Sequence, residues 1–255
     1  MFAIALFVNA VKGISACQLS RDLNVQYKTA FTLAHKIRES LMVQRELFPL
    51  LGEVHIDGTY IHSAPRPKNK KSERVDRRLK ENVNPNKRAV LVMRERYSEQ
   101  ESLVNPQLVG AKKTITFPIL SENTATVNKL ATTYIEPNSR IHTDENSAYN
   151  ELILRYDLQR VNHQREYRSD EGITNNLAES YFSRFKRMHY GQVHKMSNIY
   201  LDNYANEIAY REDTRKLDNL TIFNDITSKC LATSSENDWK GYWQGHHRQV
   251  ERLIM

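Results

Sequence analysis

Between residues 14 and 44 the apolar positions Ala16, Leu19, Leu23, Ala30, Leu33 and Ile37 recur every three to seven residues, on one helical face. That spacing belongs to amphipathic helices. "NVQ" at 24–26 interrupts it, which predicts a helix over 15–23, a tight turn, and a longer helix from Tyr27. The apolar stretch "MFAIALFVNAVK" adds an earlier helix to this unit. It ends near Cys17 much as a lipoprotein signal would, but no basic residue precedes it, so a helix is the better expectation. After Gly52 the pattern changes. "EVHIDGTYIH" alternates and is rich in β-formers, which predicts a strand over 53–62. "KRAVLVMRER" and "KTITFPIL" predict two more. A helix follows over 123–135, capped by Asn123 or Thr124. Then come a short strand over 139–144, a short helix over 145–156, and a fifth strand over 158–167. Helices over 175–192, 198–213 and 220–232 complete the pattern, and residues 233–255 carry no period that assigns them.

Three strands, helix, strand, helix, strand and closing helices form the order of a ribonuclease H-like domain. Its fold class is α/β, a mixed five-stranded sheet with helices on both faces. The expected organisation is a helix-turn-helix region over 1–48, an α/β domain over 49–232, and a tail over 233–255. Fold alone does not establish function.

Composition narrows the partners. The 255 residues include 37 Lys and Arg against 30 Asp and Glu. Residues 66–96 hold twelve of the basic and four of the acidic ones, an excess that covers that of the whole chain. Concentrated positive charge suits a polyanion, nucleic acid above all. Arg66, Lys68, Lys70 and Lys71 are the expected phosphate contacts in the loop. In the second helix of the helix-turn-helix, Gln26, Tyr27, Lys28, Thr29, His35, Lys36 and Arg38 are placed to meet DNA. Two cysteines without a CxxC pair exclude a disulfide framework and a zinc ribbon, and a reducing, cytoplasmic setting is expected. No apolar run reaches transmembrane length.

The acids are more specific. Asp57 interrupts the apolar strand "VHIDGTY", Asp144 closes the fourth strand in "IHTDENSAY", and Glu179 sits in the first turns of a late helix. In a ribonuclease H-like sheet the first and fourth strands are neighbours, and the late helix packs over their ends. Clustered carboxylates repel one another until cations neutralise them. Oxygen ligands of this kind suit Mg2+ or Mn2+. Two such ions about 3.5–4 Å apart clamp the attacking and leaving oxygens of a phosphodiester. His142 and His163 are expected to be satisfied strand histidines near that site.

"HIDGTYI", "HTDENSAYNEL" and "NNLAESYFSRFKRMHYGQVHKMS" together resemble the DDE transposases of bacterial insertion sequences, in the ISXO-like group related to Merlin elements. "KGISACQLSRDLNVQYKTAFTLAHKIRESL" resembles the helix-turn-helix lead-in of that group. The 34 residues between Asp144 and Glu179 fit the superfamily. Lys186 follows Glu179 by seven, on the same helix face, where these enzymes often carry Lys or Arg. The resemblance implies DNA cleavage and strand transfer, with Asp57, Asp144 and Glu179 holding two Mg2+ or Mn2+ ions. It implies that Lys186 holds a DNA phosphate, with Arg184 and Arg187 beside it. Terminal inverted repeats and target DNA are the implied partners, and pairing two ends implies a homodimer in the DNA complex. Some members use Asn as the third residue, and Asn176, three before Glu179, competes for that role or supports it as a ligand or cap. Glu179 is preferred because a carboxylate neutralises metal charge better than an amide. The zinc ribbon common in this group has no counterpart here. The competing expectations are a ribonuclease H-like nuclease that does not join strands and a catalytically inactive DNA-binding remnant.

Overall fold

The computed structural model describes residues 1–61, 69–76, 79–82, 84–161, 175–234 and 239–253. Three helices open the chain: α1 (Phe2–Asn9), α2 (Ala16–Leu23) and α3 (Tyr27–Val43). Ser15 caps α2 by accepting the Gln18 N–H, and Asn24 closes it in the left-handed conformation at φ 51°. The Ser20 hydroxyl donates to the Val25 carbonyl at 2.6 Å, which fixes the turn between α2 and α3.

The sheet then forms from β1 (Glu53–Ile61), β2 (Arg88–Arg96), β3 (Ala111–Ile119), β4 (Arg140–Thr143) and β5 (Asp157–Arg160). Its order is β3-β2-β1-β4-β5. β1 pairs antiparallel with β2 and parallel with β4, and β4 pairs parallel with β5, so the sheet is mixed. This is a ribonuclease H-like arrangement. Between β2 and β3 lies α4 (Glu99–Val104), with a Ser98/Glu101 capping box. The sequence pattern gave no sign of it, because six residues are too few for a period to show. The helix expected over 145–156 is a 3₁₀ helix, Ser147–Leu154. The fifth strand ends at Arg160, and its expected continuation over 162–167 lies outside the described residues.

Strand alternation divides the core. Val54, Ile56, Leu91, Met93, Ile115 and Phe117 face α5 (Thr124–Tyr134) and the 3₁₀ helix. Ile61, Val90 and Val92 face α6 (Asn176–Met188) and α7 (Leu201–Asp213) on the other side. Phe185 of α6 is fully buried there. Phe185→Ala is expected to cost about 3–5 kcal/mol of stability, as truncation of a packed aromatic does. Urea unfolding checks this, and a loss below about 1 kcal/mol would mean that α6 is loosely docked.

The N-terminal helices do not stand apart. Ile4, Phe7, Leu19, Ala30, Ala34 and Ile37 share one apolar cluster with Ile226 of α8 (Asn219–Ala232). Arg38 of α3 donates to Glu207 of α7 at 2.6 Å, and both are buried. The segment after α8 also returns to α3. Trp239 stacks on His35 with ring centroids 5.2 Å apart, and Arg248 donates to Glu39 at 2.8 Å. Among the described residues no helix is long and apolar enough to cross a membrane.

Candidate active site

Asp57 owes its position to strand register. β1 and β4 run parallel, with Glu53 opposite Arg140 and His55 opposite His142. Alternation puts residues two apart on one face. Continuing that register by two residues sets Asp57 beside Asp144, on the face that α6 covers. Pairing stops just before this point, and β4 ends at Thr143, so Asp144 is the first residue beyond the strand. The Asp57 carboxylate accepts the Gly58 N–H at 2.7 Å, and that of Asp144 accepts the Asn146 N–H at 3.0 Å.

Glu179 arrives from α6. The start of this helix is tied to the sheet by two side chains. Arg94 of β2 donates at 2.7 Å both to the Leu177 carbonyl and to the Ser180 hydroxyl. Buried Asn175 donates to the Ile56 carbonyl at 3.4 Å, next to Asp57. Asn176 is exposed and is the first residue of the helix.

A fourth carboxylate joins the group. Glu122 precedes α5 and accepts a hydrogen bond from the fully buried Tyr149 hydroxyl. Its N–H donates to the Tyr60 hydroxyl at 3.2 Å. A Cβ on Gly58 would lie 2.7 Å from the Glu122 carboxyl carbon, so glycine leaves the space that Glu122 occupies. In sequence Glu122 looks like one more loop acid; only its place before a helix cap, two residues beyond a strand, hints at the sheet edge.

Electrostatics show the convergence. Burial and the negative charge of Asp144 push the Asp57 carboxyl up to about 7, with Glu122 and Glu179 adding to the repulsion. Glu122 is raised by burial and by Asp144, against the bond from Tyr149. Among the described residues no ion pair engages Asp57, Asp144 or Glu122. A site made only of oxygen donors, whose charges destabilise one another, fits hard divalent cations such as Mg2+ or Mn2+.

The expected DNA contacts divide. Lys28, Thr29 and Lys36 are exposed on α3, as are Lys70 and Lys71 in the loop after β1. Arg66, Lys68 and His163 lie outside the described residues. His35 and Arg38 are buried, the first among aromatic rings and the second in its pair with Glu207, so neither is presented to DNA. Lys186 and Arg187 are exposed, whereas Arg184 is paired with Glu212 at 2.7 Å. Part of the basic excess over 66–96 is structural. Arg88 pairs with Glu251, Arg94 with Glu212 and Arg96 with Glu53. His142 is not the satisfied strand histidine expected, since neither ring nitrogen has a hydrogen-bond partner.

Residues 49–213, well over half of the chain, match the family described as the ISXO2-like transposase domain. No curated protein matches the chain.

Proposed function

Since the chain belongs to the ISXO2-like transposase family, we propose that it is an insertion-sequence transposase that cleaves DNA at element ends and joins those ends to target DNA. The observation that supports this is the place of Asp57 and Asp144, two residues past the His55/His142 pair of the parallel strands, where the charges of Asp144, Glu122 and Glu179 all act on the Asp57 carboxyl. These three side chains would hold two Mg2+ or Mn2+ ions, with Asn176 as a further candidate ligand at the start of α6. When bound, such ions supply Lewis acidity to the attacking oxygen and offset charge developing on the phosphodiester.

The residues of the chain supply the rest. Asp57, partly buried, holds its charge without a cation only above about pH 7, and a bound cation would extend that charge to lower pH by offsetting burial and its neighbours. Tyr149 holds Glu122 against Gly58, which fixes the negative field on the Asp144 side. Lys186 projects from α6 two turns beyond Glu179 and would hold a DNA phosphate beside the site. Arg187 would extend that contact, and Arg184 would join only by exchanging Glu212 for phosphate. Lys28, Thr29 and Lys36 would contact terminal-repeat DNA, and Lys70 and Lys71 the backbone of either DNA partner. A homodimer in the DNA complex would pair the two ends.

The test combines DNA carrying the element's ends, Mg2+ or Mn2+, and a supercoiled target, with Asp144→Asn as control. Joined products that vanish in the variant are expected. Nicking without joining would instead make the protein a nuclease of the same fold, and binding without metal-dependent chemistry a DNA-binding remnant. Lys186→Ala should weaken binding uniformly across sequences and reduce the salt slope of binding by about one. An unchanged slope would remove Lys186 from the phosphate contacts.

A further inference from the structure

Two residues before the acidic pair, on the same sheet face, lies a donor set of different chemistry. His55 and His142 are opposite one another across β1 and β4, with rings stacked at 4.6 Å and 12°. Parallel strands in register turn both Nε2 atoms the same way, toward Glu53. His55 Nε2 is 3.1 Å from Glu53 Oε1, and His142 Nε2 is 3.5 Å from the same oxygen. All three donor atoms lie within 4.8 Å of one another. The rings are only 2% and 7% exposed. His55 Nδ1 and both nitrogens of His142 have no hydrogen-bond partner. A buried polar atom left unpaired is destabilising, and His142 Nε2, the one that faces Glu53, is the atom that a ligand here would satisfy.

We propose that Glu53, His55 and His142 bind one borderline transition-metal dication of the Zn2+ class, at a site separate from the carboxylate centre. A tetrahedral ion with ligands at about 2.0–2.1 Å sets its donors about 3.3 Å apart. The separations of 3.1 and 3.5 Å from Glu53 match that edge. Two imidazoles and a carboxylate form a recurring zinc set, with water completing the tetrahedron. Mg2+ prefers oxygen donors throughout, so ligand chemistry sorts the two sites. Arg96 competes, because it donates to Glu53 Oε1 at 2.9 Å. Its side chain is 53% exposed and withdraws into water at little cost. A strand rises about 3.3 Å per residue, which puts this ion about 7 Å from the Asp57–Asp144 pair. There it would fasten β1 to β4 next to the residues whose alignment the acidic site needs.

Metal-stripped full-length protein titrated with Co2+ tests this through the visible absorption of four-coordinate cobalt. One Co2+ per chain is expected, displaced by Zn2+ and not by excess Mg2+. His142→Phe keeps the ring stack without a donor, and Glu53→Gln removes the charge. Each should weaken Co2+ binding by more than the roughly 10–100-fold that loss of an outer-shell partner costs. The double variant Asp57→Asn, Asp144→Asn should retain the site. Circular dichroism establishes folding, and if His142→Phe is unfolded Glu53→Gln decides. No cobalt band in the parent protein overturns the proposal. So does a band that survives both His142→Phe and Glu53→Gln, or one lost only in the double Asp variant, which would place the ion at the carboxylates.

Discussion

Asp57→Asn is expected to abolish metal-dependent cleavage and, in the same protein, to stabilise the metal-free fold. Loss of a metal ligand removes several kcal/mol of transition-state stabilisation, a rate loss of about a thousandfold or more. The stability effect has the opposite sign. Burial, Asp144, Glu122 and Glu179 raise the Asp57 carboxyl from its ordinary 3.8 to about 7. A carboxyl raised on folding binds more protons in the native state than in the unfolded chain, so stability falls as pH rises between those values. The penalty is absent below pH 3.8, grows through the interval, and is complete above about 7. Asparagine has no charge to bury and still accepts the Gly58 N–H. The variant should therefore gain on the order of a few kcal/mol over the parent near pH 8 without metal, and almost nothing near pH 4. Thermal unfolding at both pH values checks this. Added Mn2+ should raise the melting temperature of the parent more than that of the variant. A variant less stable than its parent at pH 8 would show that Asp57 has a stabilising partner rather than repelling neighbours.

Glu207→Ala should be among the most destabilising single changes in the chain. Glu207 is fully buried in α7 and accepts from Arg38 of α3 at 2.6 Å and from Arg211 at 2.9 Å. Arg38 is 2% exposed, lies 4.6 Å from the Tyr204 ring centroid, and also donates to the Ile14 carbonyl. Removing Glu207 leaves a guanidinium buried without a counter-charge, which costs about 3–5 kcal/mol. The double change Arg38→Met, Glu207→Leu removes both charges and should recover much of that loss, because desolvation offsets most of the gain from a buried pair. Urea unfolding of the three proteins separates these terms. A single variant within 1 kcal/mol of the parent would mean that water reaches the pair. The pair joins α3 to α7, so its loss should expose α1–α3 to proteolysis first.

Several features of this protein were legible from local pattern. Helical spacing marked α2, α3, α5 and α6, alternation marked β1, and apolar runs of strand-forming residues marked β2 and β3. Asp57 stood out because a charge interrupts an apolar strand, and Glu179 with Lys186 because seven residues share a helix face. These are effects of neighbours within a turn or two, where the chain's own period decides which side chains point together. α4 escaped because its 6 residues make fewer than two helical turns, and the tail because its order comes from contacts with α3 rather than from its own pattern.

Other features depended on pairing between distant segments. Arg38, Arg94, Asn175, Glu122 and His142 look in sequence like ordinary surface or strand residues. Arg38 and Arg94 raised the apparent basic charge available to DNA, yet both are buried in ion pairs. Asn175 and Asn176 are neighbours at the start of α6, and the docking of that helix on β1 turned one inward and the other to solvent. The sequence by itself determined the order of helices and strands and supplied the acids, because periodicity and charge are properties of short segments. Only the tertiary structure decided that His55 faces His142 and that Asp57 comes beside Asp144. Parallel register between β1 and β4 is chosen by which sheet faces can be buried against α5 and α6, and no local segment carries that information.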